Sequence, residues 1–98
     1  MTIQQDARHQ KMAASLRSML AQAPISATSA IHHLFGILYA RELRDVKGYE
    51  LDYIAGLAGS EHSMGREIGK GRNLARFVDV KPEYRNWPWG TDKEEKNA

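Results

Sequence analysis

Apolar residues recur along most of the chain at intervals of three and four, the spacing that puts them on one face of an α-helix. In the first segment these positions are Met12, Leu16, Met19, Leu20 and Ala23. Pro24 follows, and a proline disfavours helical angles in the residue before it. The pattern therefore predicts a first helix over residues 3–23.

A second helix is predicted from about residue 30 to Val46, with apolar residues on nearly all of its sides, which is typical of a deeply buried helix. Its candidate N-terminal caps are Ser26, Thr28 and Ser29. Gly48 is expected to close it, because glycine adopts the backbone angles that end a helix.

Two further helices are predicted on either side of Gly59. A short one spans residues 50–58, and the next begins after Ser60. The second of these contains Gly65, Gly69 and Gly71. Each glycine costs about 1 kcal/mol in a helix interior, so this helix is predicted to be short or interrupted.

The chain changes character near Lys81. Before it, Leu74, Phe77 and Val78 predict a last helical segment that reaches about Val80. After it, prolines and aromatic residues without a period predict an extended tail. Tyr84, Trp87 and Trp89 would either pack over the helices or form an exposed arm that docks on a partner protein.

These patterns predict an all-α fold of four to five short helices with an extended aromatic C-terminal tail. With 98 residues, the chain fits a single domain over residues 1–98. Its expected parts are an N-terminal helix over 1–24, a core over 30–80 and a tail over 81–98.

Composition narrows the expected location and chemistry. The chain has no cysteine, which excludes disulfides and thiolate metal sites and fits a reducing cytoplasm. The longest apolar run, Leu34–Ala40, is too short to cross a bilayer. We expect a cytoplasmic protein without a membrane partner.

Positive charge is concentrated in one window, although the net charge is only +2. Six basic residues lie between Arg66 and Arg85, against three acidic ones. Such a stripe suits an anionic partner, or it is an ordinary solvated helix face.

The spacing around Gly59 is that of a helix-turn-helix. The small Ala55 follows the apolar Ile54 and would let a second helix cross closely, and Gly59 tolerates positive φ in the turn. Over residues 40–73 the chain resembles the phage-repressor (XRE) class of helix-turn-helix domains. The positions that carry the resemblance are Arg41-Glu42-Leu43-Arg44, Lys47-Gly48, Ile54-Ala55, Leu57-Ala58-Gly59, Ser63, Ile68 and Gly71-Arg72-Asn73.

The resemblance implies double-stranded DNA as the partner. Its first helix would be Leu34–Val46, its supporting helix Glu50–Ala58, and its recognition helix, which enters the major groove, Glu61–Gly69. The implied base contacts are Glu61, His62, Ser63 and Arg66. The implied phosphate contacts are Lys70, Arg72 and Arg76.

Four positions depart from the family pattern. The family opens its supporting helix with a serine and a glutamine, and this chain has Glu50 and Leu51 there. A carboxylate near a phosphate is repulsive unless it is neutralised. The family also places apolar residues where this chain has Ser60 and Gly65, which predicts a thinner core beneath the recognition helix.

No enzymatic or cofactor site is expected. No nucleophile–base pattern or phosphate-binding glycine loop is visible in the sequence. The adjacent His32 and His33 point about 100° apart on a helix, so they cannot chelate one metal well. One is expected to be partly buried and the other solvated.

Two functions follow. The first is a sequence-specific DNA-binding transcriptional regulator of repressor type, acting as a homodimer, whose first-helix residues Met12, Leu16, Met19 and Leu20 would either make the dimer contact or pack within the chain. The alternative is a small adaptor or inhibitor, of the kind found in phages and mobile elements, that binds a host protein through a reworked helical fold and its aromatic tail.

Overall fold

The computed structural model describes residues 2–24 and 26–85, and within these ranges the chain is helical with no β-strand. The helices are α1 (Ile3–Ala21), α2 (Thr28–Leu38), α3 (Gly48–Leu57), α4 (Gly65–Leu74) and α5 (Pro82–Arg85), and a 3-10 turn at His62–Met64 leads into α4. The predicted all-α fold is confirmed. The prediction of an extended tail is wrong at its start, where Pro82–Arg85 form α5. Trp87 and Trp89 lie outside the described residues. In the part of the chain that is described, no helix combines the length and apolarity needed to span a membrane.

Helix α1 begins with a reciprocal cap. The Thr2 hydroxyl oxygen accepts a hydrogen bond from the Gln5 backbone N–H (3.0 Å), and the Gln5 side-chain oxygen accepts one from the Thr2 N–H (2.8 Å). These bonds satisfy donors that the first turn of a helix leaves unpaired. The apolar stripe of α1 then enters the core of the chain itself, where Met12, Leu16 and Met19 are buried. Of the two interpretations of this stripe, packing within the chain is the one observed.

The core lies where α1 and α4 each pack against both α2 and α3. Its largest fully buried apolar side chains come from α1 to α4 and from the segment that joins α2 to α3: Leu16, Met19, Phe35, Leu43, Leu51, Ile54 and Ile68. Ile54, the apolar residue before Ala55, is completely buried. This arrangement leaves one face of α4 in solvent.

Helices α2 and α4 cross in backbone contact through a pair of glycines. A Cβ atom on Gly71 would lie 2.8 Å from the Cα of His33, and closer still to the His33 carbonyl oxygen. A Cβ on Gly36 would lie 2.7 Å from the backbone nitrogen of Arg72. Carbon atoms in contact are normally 3.5–4.0 Å apart, so any side chain at either position would push the two helices apart.

The prediction that α2 continues to Val46 is wrong. The helix ends at Leu38, and residues 39–45 form turns. Leu43 and Val46 are nevertheless buried, so their apolar spacing reflected burial and not helix. Their carbonyl oxygens accept hydrogen bonds from Nη1 of Arg72, at 2.8 and 2.5 Å, and thus have partners that a helix would otherwise supply. The predicted first helix of the repressor pattern, Leu34–Val46, is likewise absent as one helix.

Two smaller predictions also fail, on the cap of α2 and on the last helix. The N-cap of α2 is Ala27, which makes no side-chain capping bond, so none of the predicted caps acts there. Helix α4 is short, as predicted, with ten residues, and it runs without interruption through Gly69 and Gly71. No helix reaches Val80, since residues 75–77 turn and 78–81 are irregular.

Candidate nucleic-acid interface

Helices α3 and α4 are joined by the tight turn that the sequence predicts. Gly59 has φ +90°, the left-handed region in which a glycine carries no steric penalty. The backbone N–H of Ser60 donates to the Ala55 carbonyl oxygen at 2.9 Å and closes the turn. A helix-turn-helix unit is therefore present at this point in the chain.

Gly65, where the sequence predicts a thinner core, allows α4 to pack closely against α3. A Cβ there would lie 2.5 Å from the backbone nitrogen of Asp52 and 2.7 Å from its Cα. The Asp52 carboxylate sits beside the same residue, at the N-terminal turn of α4, where the helix dipole favours negative charge. The missing apolar side chain at 65 thus reflects tight packing, and the core is not thinned there.

Ser60, the second position expected to weaken the core, completes a buried polar contact. His32 is fully buried. Its Nδ1 lies 2.6 Å from the Thr28 carbonyl oxygen, which can only accept, so Nδ1 carries the proton and Nε2 accepts from the Ser60 hydroxyl at 2.9 Å. Burial lowers the pKa of His32 below its ordinary value, opposed by the bond to Thr28. The prediction that one of the two histidines is solvated is also wrong in part, because His33 bonds Glu67.

The carboxylate of Glu50, expected to repel a phosphate, is turned into the fold. Its Oε1 accepts from the Lys47 backbone N–H at 3.2 Å. Its Oε2 lies 2.9 Å from Nε2 of the buried His9, in α1. The neighbouring Leu51 is 2 % exposed and belongs to the core. Both departures at the start of α3 therefore have a structural role within the chain.

The four predicted base-contact residues lie before, within and after the 3-10 turn, but the structure brings only Ser63 and Arg66 to one pocket, whereas Glu61 lines another one beside Thr28 and Ser60. Glu61, His62, Ser63 and Arg66 are exposed. Ser63 and Arg66 line a pocket of about 320 Å³ that also touches Gly48 at the start of α3. The ring of His62 rests against Gly56 of α3, where a Cβ would come within 2.8 Å of Nε2.

The three predicted phosphate-contact residues divide into two kinds. Lys70 and Arg76 are exposed. Lys70 Nζ lies 3.1 Å from Glu67, whose other oxygen accepts from His33 at 2.8 Å, and these two hydrogen bonds lower the pKa of the Glu67 carboxyl. Arg72 is half-buried, and one of its guanidinium nitrogens donates hydrogen bonds to the carbonyl oxygens of Leu43 and Val46, after α2.

Sequence reasoning missed three charged residues around this face. Asp52 lines the pocket beside Arg66, and nothing local in the sequence indicates that α4 approaches it. Arg41 and Arg44 lie next to the end of α4. Their spacing of three residues is a usable signal, but the prediction of a long second helix through these positions obscures it.

Metal-ligand groups are lacking in the described ranges, where no set of three or more histidine, aspartate or glutamate side chains lies close enough to hold an ion. The site is thus an exposed basic helix face, supported from behind by α2 and α3. This arrangement can present hydrogen-bond donors and positive charge to an extended anionic partner.

Comparison with known proteins agrees with this geometry. No curated protein and no solved structure matches the chain. A family model does match, described as an HTH-like domain, and it covers residues 8–81, which include α2 to α4 and all but the first five residues of α1. The match names no catalytic activity. The chain belongs to the HTH-like domain family.

Proposed function

We propose that the chain is a sequence-specific DNA-binding regulator of repressor type that places α4 in the major groove. The observation that carries this proposal is the division of α4 into two faces. Arg66, Lys70 and Asn73 recur at intervals of four and three and are exposed, whereas Ile68 and Gly71 on the opposite side are buried. A helix of this kind offers the groove a polar and basic edge on a fixed support.

The contacts follow from side-chain chemistry. Arg66 donates two hydrogen bonds to the O6 and N7 atoms of a guanine. Ser63 and His62 donate to base acceptors, and Glu61 accepts from a cytosine amino group. Because these residues precede or open α4, they reach the groove floor, and Lys70 lies one turn further along for a phosphate.

The phosphate contacts are Lys70 and Arg76, with Arg72 in a different role. Because Arg72 holds the turn after α2 against α4, it positions the basic residues on both elements. The inward turn of Glu50 toward His9 supports the proposal, since it removes a carboxylate from the phosphate side of α3.

The test begins with selection of binding sites from a random duplex library, followed by titration of a labelled site and a random duplex at several salt concentrations. Wild type binds both, and the logarithm of its binding constant falls linearly with the logarithm of the salt concentration. Arg66→Ala weakens binding to the selected site by about 1–3 kcal/mol and hardly affects the random duplex.

Lys11→Ala is the matched control, because Lys11 is an exposed cation on α1, away from the proposed face. It should leave both affinities unchanged. The proposal fails if wild type binds no duplex in a salt-dependent way, or if Arg66→Ala and Lys11→Ala behave alike. A palindromic selected site would indicate two copies bound to one duplex.

A second candidate is an adaptor or inhibitor that binds a protein partner. It is favoured by an apolar surface at the end of α4 and in the residues that follow it. Phe77 is 76 % exposed, and Leu74 and Val78 are each 43 % exposed. Large exposed apolar side chains suit a protein interface. If the chain is an adaptor or inhibitor, Phe77→Ala abolishes binding to the partner protein, whereas Arg66→Ala leaves that binding unchanged. If Arg66→Ala weakens binding to a DNA duplex and Phe77→Ala does not, the DNA-binding function is favoured.

A further inference from the structure

A second basic feature lies at the other end of α4, away from the base-contact residues. It is a shallow groove of about 570 Å³ between the turn after α2 and the C-terminal end of α4. We call it the arginine groove, because four arginines line it together with Asn73: Arg41, Arg44, Arg72 and Arg76. Among the residues that the structure describes, no carboxylate contributes to its lining.

The turn after α2 separates its charges by sign. Arg41 and Arg44 face the arginine groove, and the Arg44 backbone N–H bonds the Arg41 carbonyl oxygen at 3.3 Å, which brings the two residues onto one side. The acidic residues of the same turn, Glu42 and Asp45, line two other pockets on the α1 side. The groove is therefore basic because of how this turn is folded.

Arg72 fixes the two walls of the groove relative to each other. It stands on α4 and donates to the Leu43 and Val46 carbonyl oxygens in the turn. These bonds hold Arg41 and Arg44 beside Arg76. The pocket is thus set before any partner arrives, which reduces the ordering that binding would require.

The charges in the groove lack acidic partners within the described part of the chain. The ion pairs found there join His9 to Glu50, and His33 and Lys70 to Glu67. None reaches Arg41, Arg44 or Arg76, although Arg76 stacks over the Phe77 ring at 5.6 Å. Clustered cations repel one another, and a bound anion relieves that repulsion.

We infer that the arginine groove is a binding site for a phosphate group, filled by a backbone phosphate of the duplex that α4 contacts. This inference rests on the proposed function. Guanidinium groups match phosphate oxygens with paired hydrogen bonds. Asn73 is seven residues from Arg66, about 10 Å along the helix, and the major groove is about 12 Å wide. When Arg66 contacts the bases, the arginine groove therefore lies against the sugar–phosphate backbone at the edge of the major groove.

Two titrations test the inference. In the first, Arg41→Ala/Arg44→Ala binds labelled duplexes over a range of salt concentrations. The variant loses affinity equally for selected and random sequences, and its salt slope falls by about one. Arg41→Lys/Arg44→Lys keeps the slope, and Lys11→Ala keeps both slope and affinity. Thermal melts check that all variants fold. We expect that they do, because within the described residues the side chains of Arg41 and Arg44 make no hydrogen bond or ion pair with another part of the fold.

In the second titration, inorganic phosphate is added to the free protein and amide chemical shifts are followed by NMR. The Arg44, Asn73 and Arg76 amides shift in wild type, and the Asn73 and Arg76 amides do not shift in the double alanine variant. Suppose that the double alanine variant keeps the wild-type salt slope for DNA, while phosphate still shifts these amides in wild type. The site then takes a free phosphate compound, and its assignment to DNA is wrong. If wild type binds DNA but neither readout responds, the groove inference fails and the proposed function stands. If wild type binds no DNA, both fail.

Discussion

Alanine substituted for Gly69 and for Gly71 adds the same methyl group at two positions of α4 that differ in the space available. At Gly69 the nearest atom to a new Cβ is Cδ1 of Leu51 at 3.5 Å, an ordinary contact. At Gly71 the Cβ would lie 2.8 Å from the His33 Cα, and the neighbour is backbone that cannot rotate away. The two variants should therefore change stability in opposite directions.

The magnitudes follow from helix propensity and packing. Alanine is better than glycine in a helix interior by roughly 0.5–1 kcal/mol, so Gly69→Ala should be stabilised by about that amount. Gly71→Ala gains the same amount, but α2 and α4 must separate by about 1 Å to restore normal carbon contacts. Overpacking of this kind costs typically about 1–3 kcal/mol. Because the obstacle is backbone, we expect the upper end, a net loss of about 2 kcal/mol.

Urea denaturation followed by far-UV circular dichroism measures both changes in stability. Thermal melts give an independent check, because each kcal/mol shifts the melting temperature by about 4–8 °C. Gly36→Ala, on the other side of the same crossing, should be destabilised as Gly71→Ala is. The double variant should lose less than the sum, because helices already separated by one methyl accommodate the second. A Gly71→Ala variant as stable as Gly69→Ala would refute the reasoning that α2 and α4 meet in backbone contact.

Two further predictions concern the helix-turn-helix and its buried histidine. Because burial lowers the folded-state pKa of His32, the unfolded chain binds more protons just below the ordinary histidine pKa. Stability should fall as pH drops through that value toward the folded pKa, by at most about 1.4 kcal/mol per pH unit; His32→Gln should flatten this dependence and the exposed His62→Gln should not. Gly59→Ala should cost about 1–2 kcal/mol because φ is +90°, whereas Gly48→Ala, at the start of α3 with open space around it, should be neutral or slightly stabilising. Equal effects at 59 and 48 would contradict the strained turn.

Local signals in the sequence were sufficient for the first helix, the third helix and the turn between α3 and α4. Pro24 marks the end of α1 to within a few residues, and Gly59 has the positive φ that its position in the motif requires. These features depend on backbone chemistry near one residue. For that reason they can be predicted without knowledge of the tertiary structure.

The failures come from contacts between distant residues. Arg72 satisfies carbonyls at 43 and 46, so α2 can stop at Leu38 while the buried side chains beyond it keep an apolar pattern. The glycines of α4 look like helix breakers in sequence, yet Gly65 and Gly71 are required by α3 and α2. The candidate site has the same limitation, because the exposure of Arg66 follows from one helix while the arginine groove needs two segments about 30 residues apart to meet.

The central claim is that the exposed face of the 3-10 turn and α4 binds DNA. Amide chemical shifts recorded by NMR while a selected duplex is added test it most directly, because they locate the contact residue by residue. The largest changes should fall on His62, Ser63, Arg66 and Lys70, with the exposed side of α1 around Lys11 unchanged. Changes confined to α1, or to the apolar surface at Phe77 and Val78, would contradict the account.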